Sequence, residues 1–201
     1  MYNEDGYAVV ENALPQKDYE SIKHNLVHLG WHFTAATASE NIQETDTVHC
    51  SSFARTLYES EPGKDLAPLG WELYPFVRCI EKYFDVDQII RIRAGLLLPK
   101  ETEVVHGAHV DIFGPHHTAL FYFCTEEGAG QTYLYGPPYD PYTSTEQLNP
   151  TNLQVIDKIE AKENRALFFN GNVFHSSSTP KTIYKRIAVN INFMGTPHGY
   201  T

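Results

Sequence analysis

Apolar residues along this 201-residue chain change their period once, from helical spacing in the first half to strand spacing in the second. After a short strand at Tyr7–Val10, Pro15 opens a predicted helix in which Tyr19, Ile22, Leu26 and Leu29 share a face, with Gly30 as its stop. A second helix is predicted from Leu66 to Phe84, where Leu69, Leu73, Phe76, Ile80 and Tyr83 recur at steps of three and four and Pro75 should kink or divide it. From Gln88 onward the pattern is that of strands: IIRIRAGLLL, EVVHGAHV, TALFYFCT, QTYLY, LQVIDKIE, RALFFN and KRIAVNINF, separated by turn chemistry such as GPPYDP and FNGN. In the last of these, Arg186, Ala188, Asn190 and Asn192 fall on one face and Ile187, Val189, Ile191 and Phe193 on the other. Seven or so short strands in succession predict a mainly β fold with helical buttresses, a double-stranded β-helix or jelly roll. The expectation is one domain over 1–201, with 1–87 mostly helical support and 88–195 the β core.

Composition narrows the function classes. Hydrophobic residues at 42% and charged residues at 20% describe a chain able to bury a core. The net charge of -10 lacks the cationic footprint that a phosphate backbone demands, so nucleic acid is a disfavoured partner. Cys50, Cys79 and Cys124 are widely spaced and match no zinc pattern, which suits a reducing compartment. The acidic N-terminus MYNEDGYAVV has no signal-peptide character and no apolar run is long enough to span a bilayer, so cytoplasmic localisation and no membrane association are expected.

The candidate chemistry lies in the β half. His109 and Asp111 are two apart in HGAHVD, and on an extended chain such residues point to one side, so an imidazole and a carboxylate can converge on one ion. Alone, His-x-Asp is common and also suits an exposed strand end. A second imidazole, His175, ends the apolar stretch RALFFNGNVFH 64 positions after Asp111. Two imidazoles and one carboxylate make the facial set of non-haem Fe(II) oxygenases, with positions left open for other ligands. Arg186 follows 11 positions after His175, on the polar face of the closing strand. A buried guanidinium calls for an anion, and its planar fork matches a carboxylate, here the distal carboxylate of 2-oxoglutarate. Lys185 is the rival cation, but alternation puts it on the face of Ile187 and Val189.

From about Ile89 to Phe193 the sequence resembles the Fe(II)/2-oxoglutarate-dependent oxygenases of the prolyl-4-hydroxylase type, including small phage-type members. HVD, TALFYF, EEGAGQTYLY, NRALFFNGNVFHS and RIAVNINF occur in that family's order. The resemblance implies iron on His109, Asp111 and His175, and 2-oxoglutarate held by Arg186, by the hydroxyl of Tyr122 and by Asn190. It also implies hydroxylation of a peptide or protein. RIRAGLLLP departs from the family pattern, offering Arg91, Arg93 and Gly95 where many prolyl hydroxylases carry a tyrosine. Asn192 stands where nucleic-acid demethylases of the superfamily place a second arginine.

Two other functions stay open: oxidation of an amino-acid or sugar-like small molecule, and a non-catalytic metal-binding jelly roll. The loops 34–64 and 136–150, with Tyr139 and Tyr142, would bear on the choice, as would Tyr133 and Tyr135 at a substrate rim or packed against a loop. His106, His116, His117 and His198 are expected in loops or on the surface, Trp31 and Trp71 in the core or the buttress, and Gly128 and Gly130 in a turn.

Overall fold

The computed structural model describes residues 2–3, 6–34, 51–60, 69–124, 128–138, 153–181 and 185–198. Strand β1 (Tyr7–Val10) leads into α1 (Gln16–Val27), β2 (His32–Thr34) and β3 (Ser52–Glu59). A 3₁₀ turn at Trp71–Leu73 then enters α2 (Tyr74–Ile80), followed by β4 (Phe84–Leu97), β5 (His117–Tyr122) and β6 (Gln131–Gly136). The chain closes with β7 (Gln154–Glu160), β8 (Ala166–Asn170), β9 (Phe174–Ser177) and β10 (Arg186–Pro197). One seven-stranded sheet has the order β1-β8-β5-β10-β4-β3-β2, and a three-stranded sheet β7-β6-β9 faces it, all pairs antiparallel. This is the two-sheet arrangement the strand pattern predicted.

Three expectations about the elements are corrected. The second helix is shorter than 66–84: Pro75 lies in its first turn, where a missing N–H costs nothing, so it starts the helix instead of kinking it, and Phe84 already begins β4. Segment 1–87 is not mostly helical among its described residues, because β2 and β3 extend the large sheet, and β3 occupies part of the span read as the loop 34–64. EVVHGAHV forms no strand. It makes isolated bridges, Val105 with Ser178 and His109 with His175, along the edge of β9. Residues 35–50 and 61–64 of the 34–64 span, most of 136–150, Tyr139, Tyr142 and Cys50 fall outside the described residues.

Burial on both faces explains why the central strands read as unbroken apolar runs. On β5 and the two residues after it, Phe121 and Phe123 point to the helices while Leu120, Tyr122 and Cys124 point between the sheets. β8 divides the same way, Phe168 outward and Leu167 and Phe169 inward. Tyr19 of α1 stacks on Phe123 with centroids 5.1 Å apart, and Phe76 of α2 meets Phe121 edge-on at 5.0 Å. Each of these rings is essentially dry, and burial of such a side chain stabilises by roughly 1.5–3 kcal/mol. The helices thus clamp the large sheet from outside, and its inner face is left to build a site.

Trp31 packs partly buried against this outer core as expected, and Trp71, 79% exposed, stands at the head of the α2 buttress outside the core. Gly128 and Gly130 both take positive φ in the turn before β6. At Gly130 a Cβ would come within 2.5 Å of the Ser178 carbonyl oxygen, so this turn and the exit of β9 approach each other only because a side chain is absent.

Candidate metal centre and anion pocket

The inner face of β4 and β10 is the floor of a cavity of about 140 Å³, roofed by β6 and β9. Register decides what lies where. On β10 Arg186 is level with Leu97 of β4, Ala188 with Gly95, Asn190 with Arg93 and Asn192 with Arg91. Arg186, Ala188 and Asn190 of the polar face read from the closing strand therefore lie on the cavity floor, Asn192 is wholly buried beyond it, and Ile187, Val189, Ile191 and Phe193 are buried under the helices.

His109 and His175 are brought together by a reciprocal pair of backbone hydrogen bonds, His109 N–H to the His175 carbonyl at 3.0 Å and His175 N–H to the His109 carbonyl at 2.9 Å. Residues directly opposite in an antiparallel bridge send their side chains to the same side, and the two rings lie 4.6 Å apart. His175 is not at the end of the RALFFN strand, as the sequence suggested, but on the separate β9 after a turn at Gly171–Val173. His109 Nδ1 faces the Gly107 carbonyl at 3.1 Å and His175 Nδ1 faces that of Val173 at 3.3 Å. A proton on each Nδ1 leaves both Nε2 atoms as lone-pair donors.

Asp111 completes the set, with Oδ2 3.5 Å from His175 Nε2 and one ligand atom from each of the three residues within 4.8 Å of the others. Asn190 Nδ2 donates to Oδ2 at 2.9 Å, Asn192 Nδ2 at 3.1 Å, and Arg91 donates to Oδ1 at 3.3 Å. Burial opposes charge on Asp111, but the two imidazoles, the Asn190 amide and the Arg91 guanidinium outweigh it and hold the carboxyl well below its ordinary range. Asn190, read as a contact to 2-oxoglutarate, here orients Asp111. Asn192 does the same, a role the sequence did not reveal.

Arg186 is 3% exposed. Nη1 donates to the carbonyls of Gln131 at 2.7 Å and Ser178 at 3.1 Å, Nη2 donates to Thr132 Oγ1 at 2.8 Å, and the guanidinium lies over the Tyr122 ring at 5.6 Å. Among the described residues no carboxylate lies within ion-pair distance of it. Lys185, by contrast, is exposed. Tyr122 is wholly buried and its hydroxyl pairs with Thr132 Oγ1 at 2.8 Å. It supports Arg186 from beneath, and Thr132, not Tyr122, reaches the cavity wall. The signal for Thr132 was weak, since a threonine in QTYLY is ordinary strand composition.

His106 and His116 lie in loops as expected but are buried, not on the surface. His106 Nδ1 pairs with Ser177 Oγ at 3.0 Å, and His116 packs its ring over Gly171. His117 bonds Tyr2, and His198 lies near Asp85 in a partly exposed pair. Tyr133 and Tyr135 stack on each other at the rim of β6, with the Tyr135 hydroxyl paired to Ser176.

Burial, aided by the charges of Arg186 and His109, pushes His106 down to about 4, and burial pushes His175 down to about 4 as well. Both imidazoles are neutral in the folded protein below the ordinary histidine range, while the unfolded chain takes up protons near pH 6.5. The stability each contributes is complete above pH 6.5 and is lost as the pH falls toward 4. Metal-free protein should therefore lose stability between pH 6.5 and 4 with a slope approaching ~2.7 kcal/mol per pH unit if both groups act. Urea unfolding across this range checks it, and His106→Asn should remove about half of the slope.

No family model matches the sequence, and no curated protein is similar to it in sequence. Solved structures are similar in fold. An oxidoreductase of the 2OG-Fe(II) oxygenase family from Burkholderia pseudomallei superposes with a TM-score of 0.62 at 11% identity, covering 96% of this chain and 88% of that one. The alpha-ketoglutarate-dependent epimerase SnoN of nogalamycin biosynthesis gives 0.61 at 14% identity, over 94% of this chain and 78% of its own. A prolyl hydroxylase from Trichoplax adhaerens, in complex with a hypoxia-inducible-factor peptide fragment, gives 0.55 at 15%, over 96% and 84%. The fold is thus the double-stranded β-helix of the 2-oxoglutarate/Fe(II) oxygenases.

Proposed function

We propose that this chain is a non-haem Fe(II)- and 2-oxoglutarate-dependent oxygenase that hydroxylates an organic substrate. One observation carries the reading: a single cavity holds both a His-Asp-His set and a buried guanidinium that has no carboxylate partner among the described residues. The donor set suits iron, since two imidazoles and one carboxylate from one side leave positions open for exogenous ligands. Ligand atoms that share one ion at ~2.1 Å lie about 3 Å apart when adjacent, so the present spacing closes with small side-chain rotations. The anion site suits one end of a dicarboxylate, because burial of Arg186 is costly until an anion meets it. A binding jelly roll without catalysis would have no use for that cation beside an open metal position.

Bound together, Fe(II) and 2-oxoglutarate supply with dioxygen an oxidant for unactivated C–H bonds, releasing succinate and carbon dioxide. The protein's residues prepare for this. The Gly107 and Val173 carbonyls fix the imidazoles of His109 and His175, and Asn190, Asn192 and Arg91 fix Asp111. Thr132 and Tyr122 hold Arg186 ready for the distal carboxylate, and Leu120 and Leu97 give the cavity apolar lining. Peptide hydroxylation and small-molecule oxidation are both compatible with this fold, which is shared by a prolyl hydroxylase in complex with a peptide fragment and by an epimerase of nogalamycin biosynthesis. Arg91 and Arg93 in the place of a tyrosine favour the small-molecule reading. The buried free thiols Cys79 and Cys124 support a reducing, cytoplasmic setting.

Purified protein given Fe(II), oxygen and 2-oxoglutarate should form succinate slowly without added substrate and faster with the right one, read by mass spectrometry. Folded protein that binds Mn(II) but takes up no 2-oxoglutarate would retire the oxygenase reading in favour of a metal-binding jelly roll.

A further inference from the structure

Among the described residues, Arg93 is the one charged side chain on the cavity floor that neither the metal set nor the Arg186 site uses. It lies between Asn190 of β10 and Thr56 of β3, level with the donors that hold Asp111. At a rise of about 3.3 Å per residue, its Cα is roughly 13 Å along β4 from the level of Arg186. The floor between the two arginines consists of Gly95, Ala188 and Ala54, residues too small to fill it. Only Ala188 O comes within 4 Å of where a Cβ on Gly95 would stand, at 4.0 Å, so open space and not backbone crowding lies above that position. The trough has a direction. Ser52 and Ala54, near the Arg186 end, are buried, whereas Thr56, beside Arg93, is exposed. Arg93 thus stands at the more exposed end of the trough, away from Arg186.

Neighbouring anions do not satisfy it. Asp111 is already shared by Arg91, Asn190 and Asn192, and Glu59 stands across from Arg91 on the outer, exposed part of β3. Among the described residues no carboxylate lies within ion-pair distance of Arg93. Burial and the like charge of Arg91 press on its guanidinium, opposed in part by the more distant charges of Asp111 and Glu59, and an oxyanion in direct contact would offset what remains. The net charge of -10 repels a polyanion, so a single carboxylate is the ligand best matched to one guanidinium fork.

We propose that Arg93 binds a carboxylate of the primary substrate, so that the molecule oxidised is a small organic or amino acid held by its acid group beside the metal ligands. This rests on the oxygenase reading. A carboxylate at the same place could also be the metal-side carboxylate of 2-oxoglutarate, and the experiment separates the two sources. Protein loaded with Mn(II) and saturated with 2-oxoglutarate is titrated by calorimetry with the twenty L-amino acids and a set of short-chain carboxylic acids, each beside its carboxamide. At least one acid should bind wild type ten-fold or more tightly than its amide. Arg93→Gln should erase that preference and Arg93→Lys should keep part of it. The affinity of both variants for 2-oxoglutarate should stay within about three-fold of wild type. The proposal is overturned if acids and amides bind alike, if no acid binds, or if Arg93→Gln weakens 2-oxoglutarate as strongly as Arg186→Gln. Wild type that takes up no 2-oxoglutarate would remove the oxygenase reading itself, a result distinct from all of these.

Discussion

Arg186→Ala is expected to weaken 2-oxoglutarate binding by about 30-fold to several thousand-fold, the range that truncating one member of a buried, hydrogen-bonded charge pair produces. The guanidinium is buried at the inner end of the cavity, with Nη1 and Nη2 already oriented by Gln131, Ser178 and Thr132 and its carbon over the Tyr122 ring. Little ordering is left to be done on binding, so most of the interaction energy reaches the ligand. Lys185→Ala, one residue earlier and exposed, should change the affinity by less than two-fold. Truncation of Arg186 also strands three acceptors, so Arg186→Lys is the companion variant. It keeps the charge, loses the fork and should fall between the other two. Calorimetry with Mn(II)-loaded protein reads all three, and equal losses in the Arg186 and Lys185 variants would mean that the closing strand presents its other face to the ligand.

Asp111→Ala should abolish detectable succinate formation and weaken Mn(II) binding by two orders of magnitude or more. The carboxylate is the one anionic member of the set and is held by three donors on neighbouring strands, so its loss removes both charge neutralisation and facial geometry. The fold should survive. Its outer core of Phe76, Phe84, Phe121, Phe168 and Phe193 lies on the helix side of the large sheet, Arg91 and Asn190 are left beside an open cavity where water can solvate them, and buried Asn192 keeps its bonds to Arg91 and Thr118. Circular dichroism and a melting transition near that of metal-free wild type would establish this. Retention of Mn(II) at wild-type affinity would show that Asp111 is not a ligand.

Much of the β10 face was legible in the sequence, because alternation is a property of one strand and needs no partner to be read. The same holds for His109 beside Asp111, for the strand at Tyr7–Val10 and for the start of α1, each a matter of a few adjacent residues. Local pattern failed where two states share it. Pro75 could kink a long helix or open a short one, and the stretch following Ile80 was counted as helix because Tyr83 continues the period. TALFYF and ALFF lack alternation because both faces are buried, so they located strands without saying which residues face the site.

Pairing across the chain decided the rest. The backbone bridge between His109 and His175 joins segments 66 positions apart, and whether two such segments meet, and in which register, depends on all the strands between them. The same register places Asn190 and Asn192 on Asp111, hands the cavity wall to Thr132 while Tyr122 is sealed beneath Arg186, and leaves Arg93 at the more exposed end of the trough. Residue types and their order along the chain determined which chemistry was available. The opposition of two sheets determined which side chains share one space, since direction in a strand is local and proximity between strands is not.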